Sequence, residues 1–117
     1  MKQQLATAPF FSIVIPSYNR IGFLPETLDS ILKQTFQDFE ILVVDDGSTD
    51  HTPEILRHKY GHLSNFRLIE QPNAERGAAR NHGFREASGS YVIFIDSDDL
   101  MLPENLEVLR SHILRLN

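Results

Sequence analysis

Glu40-Ile41-Leu42-Val43-Val44 runs directly into Asp45-Asp46-Gly47-Ser48. The first part is apolar at consecutive rather than alternate positions, the pattern of a strand covered by helices on both faces. The second part is a turn, since Asp and Gly readily take the conformations that end a strand. The same pairing of apolar run and polar turn recurs on either side. Phe11–Ile15 precedes Pro16-Ser17-Tyr18-Asn19, Phe66–Ile69 precedes Gln71-Pro72-Asn73, and Tyr91–Ile95 precedes Asp96-Ser97-Asp98-Asp99. The four runs begin at residues 11, 40, 66 and 91, so their spacings are 29, 26 and 25 positions. That is room for a crossover helix between successive parallel strands.

The intervening segments carry helical patterns. Leu24, Leu28, Ile31 and Leu32 fall at i, i+4, i+7 and i+8, with Pro25 tolerated in the opening turn. Thr52 is expected as an N-cap ahead of Pro53 and Glu54, with Ile55, Leu56 and Tyr60 as the buried side. A third helix is expected over about Arg76–Ala87, where Ala78, Ala79, Gly83 and Ala87 allow close approach to the sheet. A fourth begins near Pro103 and aligns Leu102, Leu106, Leu109, Ile113 and Leu116. The expected fold is α/β, a three-layer α/β/α sandwich with a mainly parallel sheet. The last stripe is still running at Asn117, with no capping glycine and no fifth strand beyond it. The chain therefore reads as the amino-terminal part of something longer, with residues 1–9 a flexible tail and residues 10–117 one folded unit.

Composition narrows the function classes. A length of 117 residues, 41% hydrophobic and 23% charged, suits a single soluble domain. Cysteine is absent, which excludes a disulfide framework, a thiol nucleophile and a cysteine-based zinc site. Sixteen acidic residues against eleven basic give a net charge of -5, the wrong sign for gripping nucleic acid. The longest unbroken apolar run, Tyr91–Ile95, has five residues, against the roughly 20 that span a bilayer. Met1–Pro9 has no apolar core of a signal peptide.

Ligands of an open parallel sheet bind beyond the carboxyl ends of its strands. Asp45, Asp46, Asp96, Asp98 and Asp99 all fall there, and such a crowd of like charges calls for a cation or hydrogen-bond donors. The nearest basic residues in sequence are Arg76 and Arg80. An Asp-x-Asp at a strand end offers hard oxygen ligands to an ion such as Mg²⁺ that is shared with a diphosphate. A P-loop, a G-x-G-x-x-G and a G-x-S-x-G are all missing, and the five histidines show no metal-ligand spacing and read as surface residues. Each acidic motif alone has a plainer reading. Asp45-Asp46-Gly47-Ser48 makes a turn, Tyr18-Asn19 packs a loop, and Arg80 pairs with Glu86 or Glu75 on a helix face. Their recurrence at one sheet edge outweighs those readings.

Phe11-Ser12-Ile13-Val14-Ile15-Pro16-Ser17-Tyr18-Asn19, Gln34-Thr35-Phe36, Glu40 to Asp50, Gly77-Ala78-Ala79-Arg80-Asn81 and Asp96-Ser97-Asp98-Asp99, in this order, closely resemble family 2 glycosyltransferases of the GT-A fold. The resemblance covers residues 10–117. It implies a Rossmann-like nucleotide-diphospho-sugar transferase fold and transfer of a sugar from a nucleotide diphosphate donor to an acceptor hydroxyl, with inversion and with Mg²⁺ or Mn²⁺. Position by position, it implies that Pro16 and Tyr18 line the base pocket and that Asp46 accepts a hydrogen bond from the base, favouring uridine. Arg80 lies near the donor, Asp98 ligates the metal, and Asp96 serves the ribose or the metal through water. Asn19 and Asp45 join the same donor-binding set. Many members have glycine where this chain has Glu75.

The family's general base lies well downstream, so the resemblance implies the donor-binding half of an enzyme, inactive alone, with no catalytic residue of its own. It further implies a carbohydrate, lipid or protein acceptor in polysaccharide or cell-envelope synthesis, and a cytoplasmic location, free or peripheral at the inner face of the membrane. An exposed carboxyl-terminal helix implies self-association. Two other classes compete. A phospho-acceptor signalling domain needs a lysine after a later strand, whereas the lysines are Lys2, Lys33 and Lys59. The other is a non-catalytic nucleotide-binding module.

Overall fold

The structure, a computed structural model, describes residues 8–74 and 77–116. Expectations attached to residues 1–7, Glu75, Arg76 and Asn117 lie outside these residues. Strand and helix alternate throughout: β1 (Phe11–Ser17), α1 (Leu24–Leu32), β2 (Phe39–Asp46), α2 (Thr52–Tyr60), β3 (Phe66–Gln71), α3 (Ala78–Glu86), β4 (Tyr91–Phe94) and α4 (Asn105–Leu116). All pairings are parallel and the strand order is β3-β2-β1-β4. The chain steps outward from β1 to β3 and then returns to set β4 on the other side of β1. That reversal leaves a crevice above the carboxyl ends of β1 and β4.

Strand parity divides the core into two unequal layers. Phe11, Ile13, Ile15, Ile41 and Val43 point to one face, where they meet Leu24, Leu28 and Ile31 of α1, Leu56 and Tyr60 of α2 and Leu106 of α4. Val14 and Val44 point to the other face and meet Ala79 of α3. A Cβ on Gly83 would lie 2.4 Å from Val14 Cγ1, so the absence of a side chain lets α3 settle against the sheet. Each fully buried Leu or Ile contributes about 1.5–3 kcal/mol, so the α1, α2 and α4 face supplies most of the stability. Tyr60 donates to Asp29 Oδ1 at 3.0 Å. Burial and then that carboxylate hold its phenol protonated well above the usual range.

Several local expectations are corrected. Three strands run past their apolar cores, β1 to Ser17, β2 to Asp46 and β3 to Gln71, because the registers Ser17↔Asp45 and Asp46↔Gln71 keep their backbones paired. β4 ends at Phe94, although the Ile95 N–H still donates to the Val14 carbonyl at 3.0 Å. Among the described residues α3 covers Ala78–Glu86, with Gly77 at its cap position and Ala87 beyond its end. Thr52 is the first residue of α2 rather than its cap. His51 occupies the cap position with φ 65°, and Asp50 Oδ1 accepts the Thr52 N–H at 3.1 Å. Ile55 is 41% exposed, leaving Pro53, Leu56 and Tyr60 as the buried side of α2. In α4 Leu106 is buried and Ile113 packs partly against the core, whereas Leu109 and Leu116, like Leu102 ahead of the helix, are exposed. No described helix is long and apolar enough to cross a membrane.

Candidate functional site

A cleft of about 830 Å³ opens at the crevice where the strand order reverses. The end of β1 contributes Pro16, Ser17 and Tyr18, the end of β2 contributes Asp46, and the segment after β4 contributes Asp96 and Ser97. Gly77, Ala79 and Arg80, at the start of α3, close one side, and Arg20 and Asn73 complete the wall. Tyr18 is 47% exposed, a large aromatic surface offered to the cleft. Of the residues expected from sequence, Pro16, Tyr18, Asp46, Arg80 and Asp96 are brought together here.

Adjacent aspartates on β2 part company by parity. Asp46 shares the α3 side of the sheet with Val44 and lines the cleft, whereas Asp45 follows Val43 to the other side and is only 2% exposed. The Asp45 carboxylate accepts from the Ser48 N–H at 3.0 Å and the Ser48 hydroxyl at 2.5 Å, closing the turn after β2. Asn19 is not a cleft residue either. Its N–H donates to Ser48 Oγ at 2.9 Å and its Oδ1 accepts from the Thr49 N–H at 2.8 Å. Asp45 and Asn19 therefore lock the β1 and β2 loops to one another and set the position of Tyr18. Gly47 is required in this turn: its φ is 77°, and a Cβ there would lie 2.6 Å from the Asn73 backbone nitrogen.

Asp46 is held from several sides. Gln71 Nε2 donates to its Oδ1 at 2.8 Å and the Ala74 N–H to the same oxygen at 3.1 Å. Asn73 Nδ2 donates to the Asp46 carbonyl at 2.9 Å and reaches Oδ2 only at 3.4 Å. Oδ1 is thus filled, and Oδ2 keeps most of its acceptor capacity.

On the β4 side, Asp96, Asp98 and Asp99 place carboxylate oxygens within 4.8 Å of one another, all exposed. Arg80 Nη2 stands 3.7 Å from Asp96 Oδ1, and its guanidinium lies 5.4 Å from the Phe94 ring centre. Glu86, the expected helical partner of Arg80, is taken instead by Arg67 at 2.7 Å. Helix α1, and Gln34 just beyond its end, fix the acidic turn from beneath. Thr27 Oγ1 donates to the Ser97 carbonyl at 3.0 Å, Ser30 Oγ accepts the Met101 N–H at 3.0 Å, and Gln34 Nε2 donates to the Leu102 carbonyl at 2.6 Å. Hard oxygen donors so grouped suit a divalent cation with its own water or phosphate ligands.

Sequence reading did not single out Arg20, Asn73 or Ser97 as cleft residues, nor the supports Thr27, Ser30, Gln71 and His82. Thr27 and Ser30 did carry a signal, since polar residues at i and i+3 beside the apolar stripe of one helix need buried partners. Gln71 carried only its place in the turn after the third apolar run, and His82, expected at the surface, is instead partly buried against Gln71.

Comparison with known proteins agrees with this geometry. The sequence pattern of glycosyl transferase family 2 matches residues 12–117. The glycosyltransferase GlyA of Streptococcus pneumoniae serotype 4 is 42% identical over 103 residues, covering 88% of this chain and 15% of the relative. The S. aureus TarS 1-349 structure in complex with UDP-GlcNAc superposes with a TM-score of 0.83 at 37% identity, covering 90% of this chain and 31% of that one. The mannosyltransferase PcManGT of Pyrobaculum calidifontis, in complex with GDP-Man and Mn²⁺, gives 0.72 at 32% identity, covering 80% and 28%. The chain thus spans about a seventh of the length of GlyA and under a third of these structures. The match, the GT-A architecture and an acidic cluster that fits the family's Asp-x-Asp motif displace the phospho-acceptor reading, and the chain belongs to glycosyl transferase family 2.

Proposed function

We propose that residues 10–117 form the donor-binding half of an inverting glycosyltransferase whose donor is a uridine diphosphate sugar. The observation that carries this reading is one cleft holding an exposed aromatic ring, a carboxylate with one oxygen largely open and a guanidinium, beside three clustered carboxylates. Tyr18 gives the base a face to stack on, worth about 1–3 kcal/mol. Asp46 Oδ2 accepts the N3–H of uracil, whereas cytosine presents a lone pair at that position and is repelled. Arg80 answers the charge of the phosphates. Asp96 and Asp98, with Asp99 beside them, would hold Mg²⁺ or Mn²⁺. Bound there, the ion supplies neutralisation of the diphosphate leaving group.

The UDP-GlcNAc bound to TarS supports a uridine donor, and the Mn²⁺ bound to PcManGT supports the cation. The GDP-Man of the latter makes guanine the rival base, since its ring N–H also donates. Inversion rests on family membership. Asp46 is committed to the base and the other three carboxylates to the cation, so deprotonation of the acceptor falls to a group outside this set. The test is calorimetric titration of the chain with uridine, cytidine and guanosine diphosphates, with and without Mn²⁺. Tightest binding of the uridine form, dependent on Mn²⁺, is expected. Equal affinity for the uridine and cytidine forms, or indifference to Mn²⁺, overturns the reading.

A further inference from the structure

Behind Asp46 stands a second pair of polar side chains that the donor-binding reading leaves unused. Gln71, the last residue of β3, donates from Nε2 to Asp46 Oδ1 at 2.8 Å, and its Oε1 lies 2.8 Å from Nδ1 of His82 on α3. The orientation of this chain follows from chemistry. An ionised carboxylate only accepts, so the Gln71 group facing Asp46 is its NH₂. The group facing His82 is then the carbonyl oxygen, which also only accepts, so His82 carries its proton on Nδ1 and donates it. Glu86, one turn further along α3, is engaged by Arg67 and does not compete. His82 and Gln71 are both partly buried, so the chain is only partly open to water.

We infer that His82 is a positioning residue for nucleobase recognition, holding the Gln71 amide in the one orientation that keeps Asp46 Oδ2 aimed at the ligand. The inference rests on the reading of Asp46 as the base acceptor and deepens it. A free Gln71 amide can turn over and present its oxygen to Asp46, where two acceptors repel and the carboxylate swings away. With His82 donating, that flip would set Gln71 NH₂ against the His82 N–H, two donors face to face. Hydrogen bonds in such a chain also polarise one another, so donation from His82 strengthens the bond that Gln71 makes to Asp46. The histidine thereby acts on the base without touching it, across an 11-residue separation in sequence.

Two measurements test this. Long-range nitrogen–proton correlation spectra of the ligand-free chain, at about pH 8 where an ordinary imidazole is neutral, report which ring nitrogen of His82 holds the proton. Protonation at Nδ1 is expected, and protonation at Nε2 alone overturns the inference whatever the nucleotide specificity. Calorimetry with uridine and cytidine diphosphates in Mn²⁺ then compares the parent with His82→Phe, His82→Asn and Asp46→Asn. His82→Phe removes the donor and is expected to cut the uridine preference about fivefold, the worth of one neutral hydrogen bond. His82→Asn places an amide N–H where Nδ1 stood and is expected to restore the preference to within about twofold of the parent. A folded His82→Phe protein with the parent's preference, alongside an Asp46→Asn protein that has lost it, overturns the role of His82 and leaves Asp46 as the base acceptor. If Asp46→Asn keeps the preference, the reading of Asp46 fails and the inference fails with it. Should His82→Phe not fold, His82→Asn with a preference as weak as that of Asp46→Asn overturns the inference equally.

Discussion

The two edges of the sheet treat the same functional group in opposite ways. At the amino-terminal edge, Glu40 Oε2 accepts from Ser12 Oγ at 2.6 Å, from the Ser88 N–H at 2.7 Å and from Ser88 Oγ at 2.9 Å. The Gly89 N–H donates to the same Ser12 hydroxyl at 2.7 Å, so one carboxylate ties β1, β2 and the approach to β4 together. At the carboxyl-terminal edge, Asp96, Asp98 and Asp99 stand exposed, and among the described residues one cation, Arg80 at 3.7 Å, answers them. A carboxylate whose lone pairs are filled from within is part of the fold, and one whose lone pairs are left open is available to a ligand. The open edge costs stability through mutual repulsion, which a site tolerates because bound cation relieves it.

The largest effect expected from this contrast is on binding. Asp98→Asn keeps volume and removes charge, so thermal melting without ligand should be unchanged or slightly raised as repulsion falls. Metal-dependent nucleotide affinity should fall more than about 100-fold, beyond what removing a mere outer partner of a ligand costs. Calorimetry in Mn²⁺ reads the second effect, and parent-like affinity there would remove Asp98 from the cation site. Glu40→Ala is the mirror case. Ser12 is fully buried and loses its acceptor, so unfolding in urea should show a loss of about 2 kcal/mol, while uridine diphosphate affinity stays as in the parent. A Glu40→Ala protein that melts normally but binds poorly would collapse the distinction between the edges.

A smaller effect is expected where the two kinds of group meet. Gly47→Ala strains a residue at φ 77° and drives a Cβ to 2.6 Å from the Asn73 nitrogen. A loss of about 1–2 kcal/mol is expected from the backbone conformation alone. The loop that carries Asn73 and Ala74 must also shift from Asp46, so uridine affinity should weaken along with stability. Urea melts and calorimetry on one preparation measure both, and loss of stability without loss of affinity would show that the Asn73 loop does not set Asp46.

The architecture was legible because consecutive apolar residues mark strands covered on both faces, and that signal is local. The strand order was not, since nothing within Tyr91–Phe94 says that it pairs with β1 rather than β3. The site was half legible. Asp45 was read into the donor-binding set beside Asp46, although counting parity from Val43 and Val44 separates the buried turn-closer from the cleft residue. In α2, Ile55 misled because an apolar residue beside Leu56 fits a helix face on paper, while burial is decided by where β3 lies. Thr52 misled because Asp50, two residues earlier, accepts both its N–H and its hydroxyl, so the hydroxyl is spent there and the helix begins one residue sooner. The meeting of Gln71 and His82 was silent because it depends on how α3 crosses the end of β3, a fact of three-dimensional packing.

The smallest effect concerns Asp50, a filled carboxylate at the open edge. Its Oδ2 accepts from the Ile21 N–H at 3.2 Å, and its Oδ1 accepts from the Thr52 N–H at 3.1 Å and from the Thr52 hydroxyl. Partial burial opposes its charge, but the bonds from Thr52 and Ile21 outweigh that and hold its carboxyl below the ordinary value of 3.8. A carboxyl that is more acidic folded than unfolded binds fewer protons in the native state. Its stabilisation is therefore fully present above about pH 4 and is lost as pH falls below the unfolded value and through the folded one. Asp50→Asn removes this group from the titration, so the variant should be less stable than the parent at neutral pH and should lose less stability between about pH 5 and pH 3. Urea unfolding across that range compares the two slopes. Parallel slopes would mean that Asp50 keeps its carboxylate as free as the three beyond β4, and the division between filled and open carboxylates would then have to be drawn within the edge rather than between edges.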